Sequence, residues 1–254
     1  MTDAKTKPPL LKVYRALHRK WGPQHWWPAR TKFEMMTGAI LTQNTAWTNV
    51  ERVIRNLKKA KALSPGAMNR MTRARLAELI RPSGTFHVKA RRLKSFVTWM
   101  KKTHGGSVRR MLGTDTAKLR RELLEINGIG PETADSILLY AGNRPVFVVD
   151  TYTRRILQRH GWLSGSESYD DVAQRFDQSC QTVPMKNRAR LYNEYHALLV
   201  QLAKQHCRSK PSCDHCPLKR WLPPGGALTP EIANRTHAPR RLAKSRSQAN
   251  AGIE

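Results

Sequence analysis

Asp150 follows four apolar residues, Val146-Phe147-Val148-Val149, and stands just before Thr151-Tyr152-Thr153-Arg154-Arg155, where helical spacing begins. An aspartate there fits a helix N-cap, its carboxylate accepting from the second or third helical N–H. A carboxylate fixed in that way can also stabilise the positive charge that builds on a sugar as a base leaves it, and can orient water. Capping and catalysis are compatible. Upstream, Asn127-Gly128-Ile129-Gly130-Pro131-Glu132-Thr133-Ala134 closes one amphipathic helix and opens another. Glycines allow a tight turn with backbone N–H groups facing outward. With the positive end of the second helix they make a seat for a phosphate that needs no base contact. For Gly-x-Gly alone, an ordinary turn between packed helices is the plainer reading.

Two further groups bear chemistry. In His25-Trp26-Trp27-Pro28, adjacent tryptophans either pack the first helix or wall a pocket for a base, and an indole face favours a cationic, alkylated base. Cys207-x5-Cys213-x2-Cys216 gathers three of the four cysteines near one end of the chain. A disulfide framework would spread them; this spacing points to metal ligation in a reducing compartment, hence to a cytoplasmic protein, nucleoid-associated in a bacterium.

The elements that must position these residues are helices. Apolar residues recur at helical spacing over Leu10–Leu17, Phe33–Leu41, Val50–Leu57, Leu76–Ile80, Leu93–Met100, Leu119–Ile126, Ala134–Tyr140, Thr151–His160, Val172–Cys180 and Arg188–Ala203. Turn signals separate them at Ser64-Pro65-Gly66, Pro82-Ser83-Gly84, Gly105-Gly106, Gly128–Pro131 and Gly142-Asn143. No alternating strand pattern and no internal repeat is present, so the expected class is all-α. Residues 223–254, rich in Pro, Gly, Ala, Ser and basic side chains, read as a disordered basic tail. It either attracts DNA non-specifically or is simply solvated. The 254 residues carry 46 Lys+Arg against 18 Asp+Glu, a formal net charge of +28. Nucleic acid is the partner that charge fits best, through phosphate contacts and counterion release, with an anionic membrane surface or heparin-like polymer as the plainer alternative. No stretch has the length of a membrane span, and the N-terminus lacks a signal-peptide core.

Gly128-Ile129-Gly130, Thr133-Ala134 and Val149-Asp150-Thr151 through Arg154-Arg155 together resemble the signature of helix-hairpin-helix DNA glycosylases of the endonuclease III superfamily. Gly38-Ala39-Ile40-Leu41-Thr42-Gln43-Asn44-Thr45 is similar to the segment whose glutamine fills the hole left by a flipped base. Gly84–Ala90, with Lys89, is similar to the loop that wedges the duplex open, and Cys207–Cys216 to the C-terminal iron–sulfur loop. The resemblance covers Leu10 to Leu222. It implies two helical lobes, residues 1–30 with 146–222 as the terminal lobe and 31–145 as the central lobe, with DNA bound between them and the damaged nucleotide flipped into the cleft. It implies Asp150 as the catalytic carboxylate, double-stranded DNA as the partner, and Gln43, Lys89, Gly128, Ile129, Gly130 and Arg154 as DNA-binding residues. Nothing indicates an oligomer.

Bifunctional members carry a lysine in the hairpin that forms a Schiff base with the sugar. Glu132 stands at that position, which implies a monofunctional enzyme with water as nucleophile. The Trp-Trp-Pro segment, the Thr-Gln-Asn-Thr run and Glu132 resemble the 3-methyladenine DNA glycosylase III branch, which implies Trp26, Trp27 and Pro28 as the base pocket, with Trp47 a weaker candidate. That branch has a modified lysine on a late helix; Leu198 stands there, and His196 nearby reads more simply as a core or surface histidine. A [4Fe–4S] cluster takes four thiolates, whereas Leu222 stands at the fourth cysteine's position. Three readings stay open: a cluster on Cys207, Cys213 and Cys216 with another ligand, zinc with His206 or His215, or a metal-free loop. Four functions stay open too: an alkylated-purine glycosylase, a uracil or thymine mismatch glycosylase, an oxidised-pyrimidine glycosylase with lyase activity, and a silent DNA-binding protein.

Overall fold

The computed structural model describes residues 8–26 and 29–229. Trp27, Pro28 and residues 230–254 of the expected tail lie outside that range. Among the described residues the regular elements are all helical, and no helix is long and apolar enough to cross a membrane. The α-helices are α1 (Leu10–Trp21), α2 (Lys32–Leu41), α3 (Trp47–Lys59), α4 (Pro65–Arg70), α5 (Arg73–Leu79), α6 (Phe86–His104), α7 (Val108–Leu112), α8 (Thr116–Leu124), α9 (Pro131–Ser136), α10 (Thr151–Arg159), α11 (Tyr169–Ser179) and α12 (Met185–Gln205). Ser64-Pro65-Gly66, expected as a turn, opens α4 instead. The Ser64 hydroxyl accepts from Ala67 N–H, and Pro65 takes a first-turn position where a missing N–H costs nothing.

Two apolar cores form. One runs from Phe33 to Ala141 and is built on α2, α3, α6 and α8. The other joins Leu10, Val13 and Leu17 of α1 to residues from Leu139 onward, on α10, α11 and α12. The chain passes between them through α9 and the π-helical turn Ile137–Ala141, in which Gly142 N–H reaches the Ile137 carbonyl and Arg144 N–H the Leu138 carbonyl. The wider turn lets Ile137, Leu138 and Ala141 face the first core while Leu139 and Tyr140 face the second.

An ion cluster braces the crossing. Arg120 of α8 forks onto the buried Asp135 of α9 at 2.7 and 3.1 Å and reaches Asp170 of α11 at 2.6 Å. Burial raises the Asp135 pKa above the ordinary range even though the guanidinium pulls it down. The tail does not begin at residue 223 as expected. Leu228 N–H donates to the Arg159 carbonyl at 3.0 Å, satisfying a group that the end of α10 leaves open. Arg120→Met should destabilise the protein by about 3 kcal/mol, because it strands a buried carboxylate. Protonated Asp135 needs no cation, so the loss in denaturant unfolding should shrink as pH falls from 8 to 5; a pH-independent loss would show that the pair is not what is lost.

Candidate active site

Asp150 caps α10 at the seam between the cores. Its backbone is extended, its Oδ1 accepts from Thr153 N–H at 2.7 Å, and only 9% of the residue is exposed. The apolar run before it is anchored by Val149 N–H donating to the Tyr169 hydroxyl at 3.2 Å. Burial on its own would raise the Asp150 pKa. The facing His196 imidazole, with Nε2 3.5 Å from Oδ2, and the donors at Thr153 outweigh it, and the carboxyl is held below the usual aspartate range.

Glu132 lies in the first turn of α9 and is exposed to solvent. Desolvation, then repulsion from Asp150, pushes its pKa up to about 7, with the His196 imidazole opposing. Its opening to water softens that shift without reversing it. The two carboxyls are thus divided: Asp150 is a fixed anion, and Glu132 exchanges its proton near neutrality. Groups split in this way are suited to different parts in one reaction.

His196 of α12, which sequence patterning favoured as a bland histidine, is buried against this pair. Its Nδ1 lies 2.5 Å from the Tyr140 hydroxyl. The Trp26 segment is fixed to α12 by Glu194, whose carboxylate accepts from Gln24 N–H at 2.6 Å and His25 N–H at 3.2 Å. Trp47 is 6.5 Å from Trp26 between ring centroids, with its own N–H on Glu51. Lys204 Nζ lies 5.8 Å from the Trp26 ring centre. Trp27 and Pro28, the other expected pocket residues, lie outside the described residues.

The hairpin turn is built as its glycines require. Gly128 has φ +88, and a Cβ there would collide with the Arg92 side chain. Ile129 is buried. Gly130 is extended and has nothing near the position of a Cβ, which leaves its backbone open to approach. Gln43, carried on the loop after α2, donates to the Gly128 carbonyl at 3.1 Å and the Thr133 hydroxyl at 2.8 Å and accepts from Arg92. It therefore stands against the hairpin. Arg154, half-buried, donates to the Glu167 carbonyl.

Lys89 corrects the sequence reading. It was expected at the DNA surface, but it is 1% exposed and its ammonium donates to the carbonyls of Leu41 and Ser83 and to the Thr45 hydroxyl. Desolvation, then the Arg92 charge, lowers its pKa to about 8. Three acceptors converge on it, so it pins the Gln43 loop to the turn before α6. Exposed His87 and half-buried Phe86 are what that turn presents outward.

Residues 37–182 match the sequence profile of the HhH-GPD superfamily base excision DNA repair proteins. The chain belongs to that superfamily. It is 44% identical to a Methanocaldococcus jannaschii protein whose name provisionally assigns it as a DNA repair glycosylase, over 84% of this chain and 94% of that one. Endonuclease III of Sulfolobus acidocaldarius is 27% identical over 76% of this chain and 82% of its own. Among solved structures, the H. pylori 3-methyladenine DNA glycosylase bound to 1,N6-ethenoadenine aligns with TM-score 0.68 and 31% identity, covering 77% of this chain and 97% of that one. An endonuclease III–DNA complex aligns with TM-score 0.72 at 21% identity over 85% and 95%, a likeness of fold. The chain is accordingly a base excision repair DNA N-glycosylase, with DNA as its partner.

The cysteine loop departs from a four-thiolate cluster site. Cys207 is buried and Cys213 and Cys216 half-buried, but Leu222 has no ligating atom, exposed His215 faces solvent, and Cys180 lies in the second core. The thiols of Cys213 and Cys216 are raised, first by burial, that of Cys216 to about 11. Among the described residues no group of three or more His, Cys, Asp or Glu is placed to hold a metal ion. Three thiolates and no fourth are therefore what the loop offers, with His206 lining the same cavity, and Arg159 braces it: it donates to Cys207 Sγ at 3.1 Å and to the carbonyls of Arg208 and Ser209 at 2.6 and 2.7 Å. Arg159→Met should cost about 2–3 kcal/mol in thermal unfolding, as expected for charge-assisted bonds lost from a buried site. Cys213→Ser should cost under about 1 kcal/mol. Equal losses, with the wild type stabilised by added iron or zinc, would show that a metal holds the loop.

Proposed function

We propose that this glycosylase is monofunctional and hydrolyses the N-glycosidic bond of an alkylated purine, with 3-methyladenine as the type, flipped from duplex DNA. The divided carboxyl pair carries the reading. As the glycosidic bond breaks, its electrons leave with the base and positive charge grows on the sugar. Asp150, already anionic and held by Thr153 and His196, stabilises that charge without reorganising. Water then attacks the sugar carbon. Asp150 is too weak a base to take the proton, while Glu132, near pKa 7, is matched to the task. Glu132 also stands where a Schiff-base lysine would be needed for lyase chemistry, and a carboxylate cannot form that adduct.

The base class rests on the aromatic wall. Trp26 and Trp47 lie within stacking reach of one site, and the ring that Lys204 approaches is open to a cation. Exposed Lys204 is free to yield its place to a cationic purine. The likeness to a 3-methyladenine glycosylase holding an ethenoadenine supports the same class. Gly128 and Gly130 would seat a phosphate, Arg154 would lie along the backbone, and Gln43 would reach the gap in the duplex by leaving its hairpin partners. The chain acts as a monomer in the cytoplasm in this reading.

Glu132 also supports a second reading. A neutral uracil or thymine leaves as an anion unless it is protonated, and a carboxylic acid near pKa 7 can supply that proton. Single-turnover release of 3-methyladenine, 7-methylguanine, uracil and thymine opposite guanine, and thymine glycol from duplexes, with and without alkali, separates the two. Alkali-dependent release of an alkylated purine is expected, with a rate that falls as pH drops through about 7 and loses that limb in Glu132→Gln. Asp150→Asn, which keeps the cap, should lower the rate at least 100-fold. Preferential release of a neutral pyrimidine, with a rate falling above pH 7, would favour the second reading. Strand cleavage without alkali would overturn the monofunctional assignment.

A further inference from the structure

We infer that His196 is the positioning residue for Asp150, held at one ring nitrogen by the Tyr140 hydroxyl so that the other faces the carboxylate. This inference rests on the glycosylase reading of the same site and adds to it a residue that governs the carboxylate.

The pairing follows from the two ring nitrogens of His196. Burial, with the charges of Asp150 and Glu132 adding to it, raises the Tyr140 pKa well above the phenol range, so its hydroxyl keeps its proton. Nδ1 of His196 lies 2.5 Å from that hydroxyl, so Tyr140 takes up one ring nitrogen. The other, Nε2, faces Asp150 Oδ2 at 3.5 Å, where its proton would point at the carboxylate. Tautomer choice by the partner of the other nitrogen is how histidines are commonly set. The final contact is longer than a closed hydrogen bond, and Nε2 is without another partner. It can close on going from the free enzyme to the complex, as catalytic hydrogen bonds often do.

Packing alone does not call for this arrangement. A histidine in an apolar wall would keep two polar atoms to be satisfied, and here one faces the Asp150 carboxylate and the other the Tyr140 hydroxyl. The three groups come from separate elements: the cap of α10, the π-helical turn and α12. Positioning through His196 should appear in the chemical step and not in DNA affinity.

The test pairs a disabling with a conservative substitution. His196→Leu deletes both links, whereas His196→Gln keeps an acceptor for Tyr140 and a donor for Asp150. Single-turnover base release at saturating enzyme should fall at least 100-fold in His196→Leu and recover to within tenfold of wild type in His196→Gln. Binding of both to a duplex bearing a stable abasic-site analogue, read by fluorescence anisotropy, should stay within threefold. Tyr140→Phe should slow release about tenfold. Equal rates for the Leu and Gln variants, or a loss confined to DNA affinity, would overturn the inference. A readout that needs no substrate keeps it separate from the function reading: ring-nitrogen NMR of the full chain should show His196 protonated at Nε2, with Nδ1 shifting in Tyr140→Phe. A ring bare at Nε2 would contradict the inference even in an active enzyme, while a proton on Nε2 in a protein that releases no tested base would leave it standing and reject the substrate assignment.

Discussion

A carboxylate between two apolar cores is costly unless donors are already aimed at it, and Asp150 has them from two directions. The α10 backbone supplies one at Thr153, and α12 supplies another at His196. Much of the surrounding structure holds those donors in place. The Val146–Val149 run delivers the carboxylate, Tyr169 fixes that run from α11, and the Arg120–Asp135–Asp170 cluster locks the hairpin helices to α11. Desolvation at the same seam, with repulsion from that anion second, pushes the Glu132 pKa up to about 7. The Asp150 charge thus adds to the basicity of its neighbour.

The π-helical turn carries Tyr140 into this geometry. Along it Ile137, Leu138 and Ala141 face the first core while Leu139 and Tyr140 face the second, which sets the Tyr140 hydroxyl beside His196. Tyr140 and His196 thus pair within a wall that is otherwise apolar, and Nε2 of His196 is left for Asp150.

The helical class and Asp150 could be read from sequence because both leave local marks: helical spacing of apolar residues, and an N-cap residue at the start of a periodic run. Gly128 was legible for the same reason, since its positive φ is a local demand. Ser64-Pro65 was read as a turn although it also spells a helix start, and α7 is too short to show periodicity. Lys89 could not be read from its neighbours, because what buries it is the convergence of Leu41, Thr45 and Ser83 from other segments. His196 stands in a run of buried residues on α12, where one histidine looks like any other until Tyr140 and Asp150 arrive from elsewhere in the chain. The cysteine spacing suggested a metal, but spacing does not show that Arg159 takes over the bracing of that loop.

The division between the two carboxyls is most directly tested by NMR titration of side-chain carboxyl carbons in the full chain, with Asp150→Asn and Glu132→Gln to assign the signals. The account predicts one carboxyl titrating near pH 7 that vanishes in Glu132→Gln, and an Asp150 signal that stays ionised down to pH values below the ordinary aspartate range. An Asp150 carboxyl that takes up its proton near neutrality, with Glu132 titrating as an ordinary surface glutamate, would contradict it.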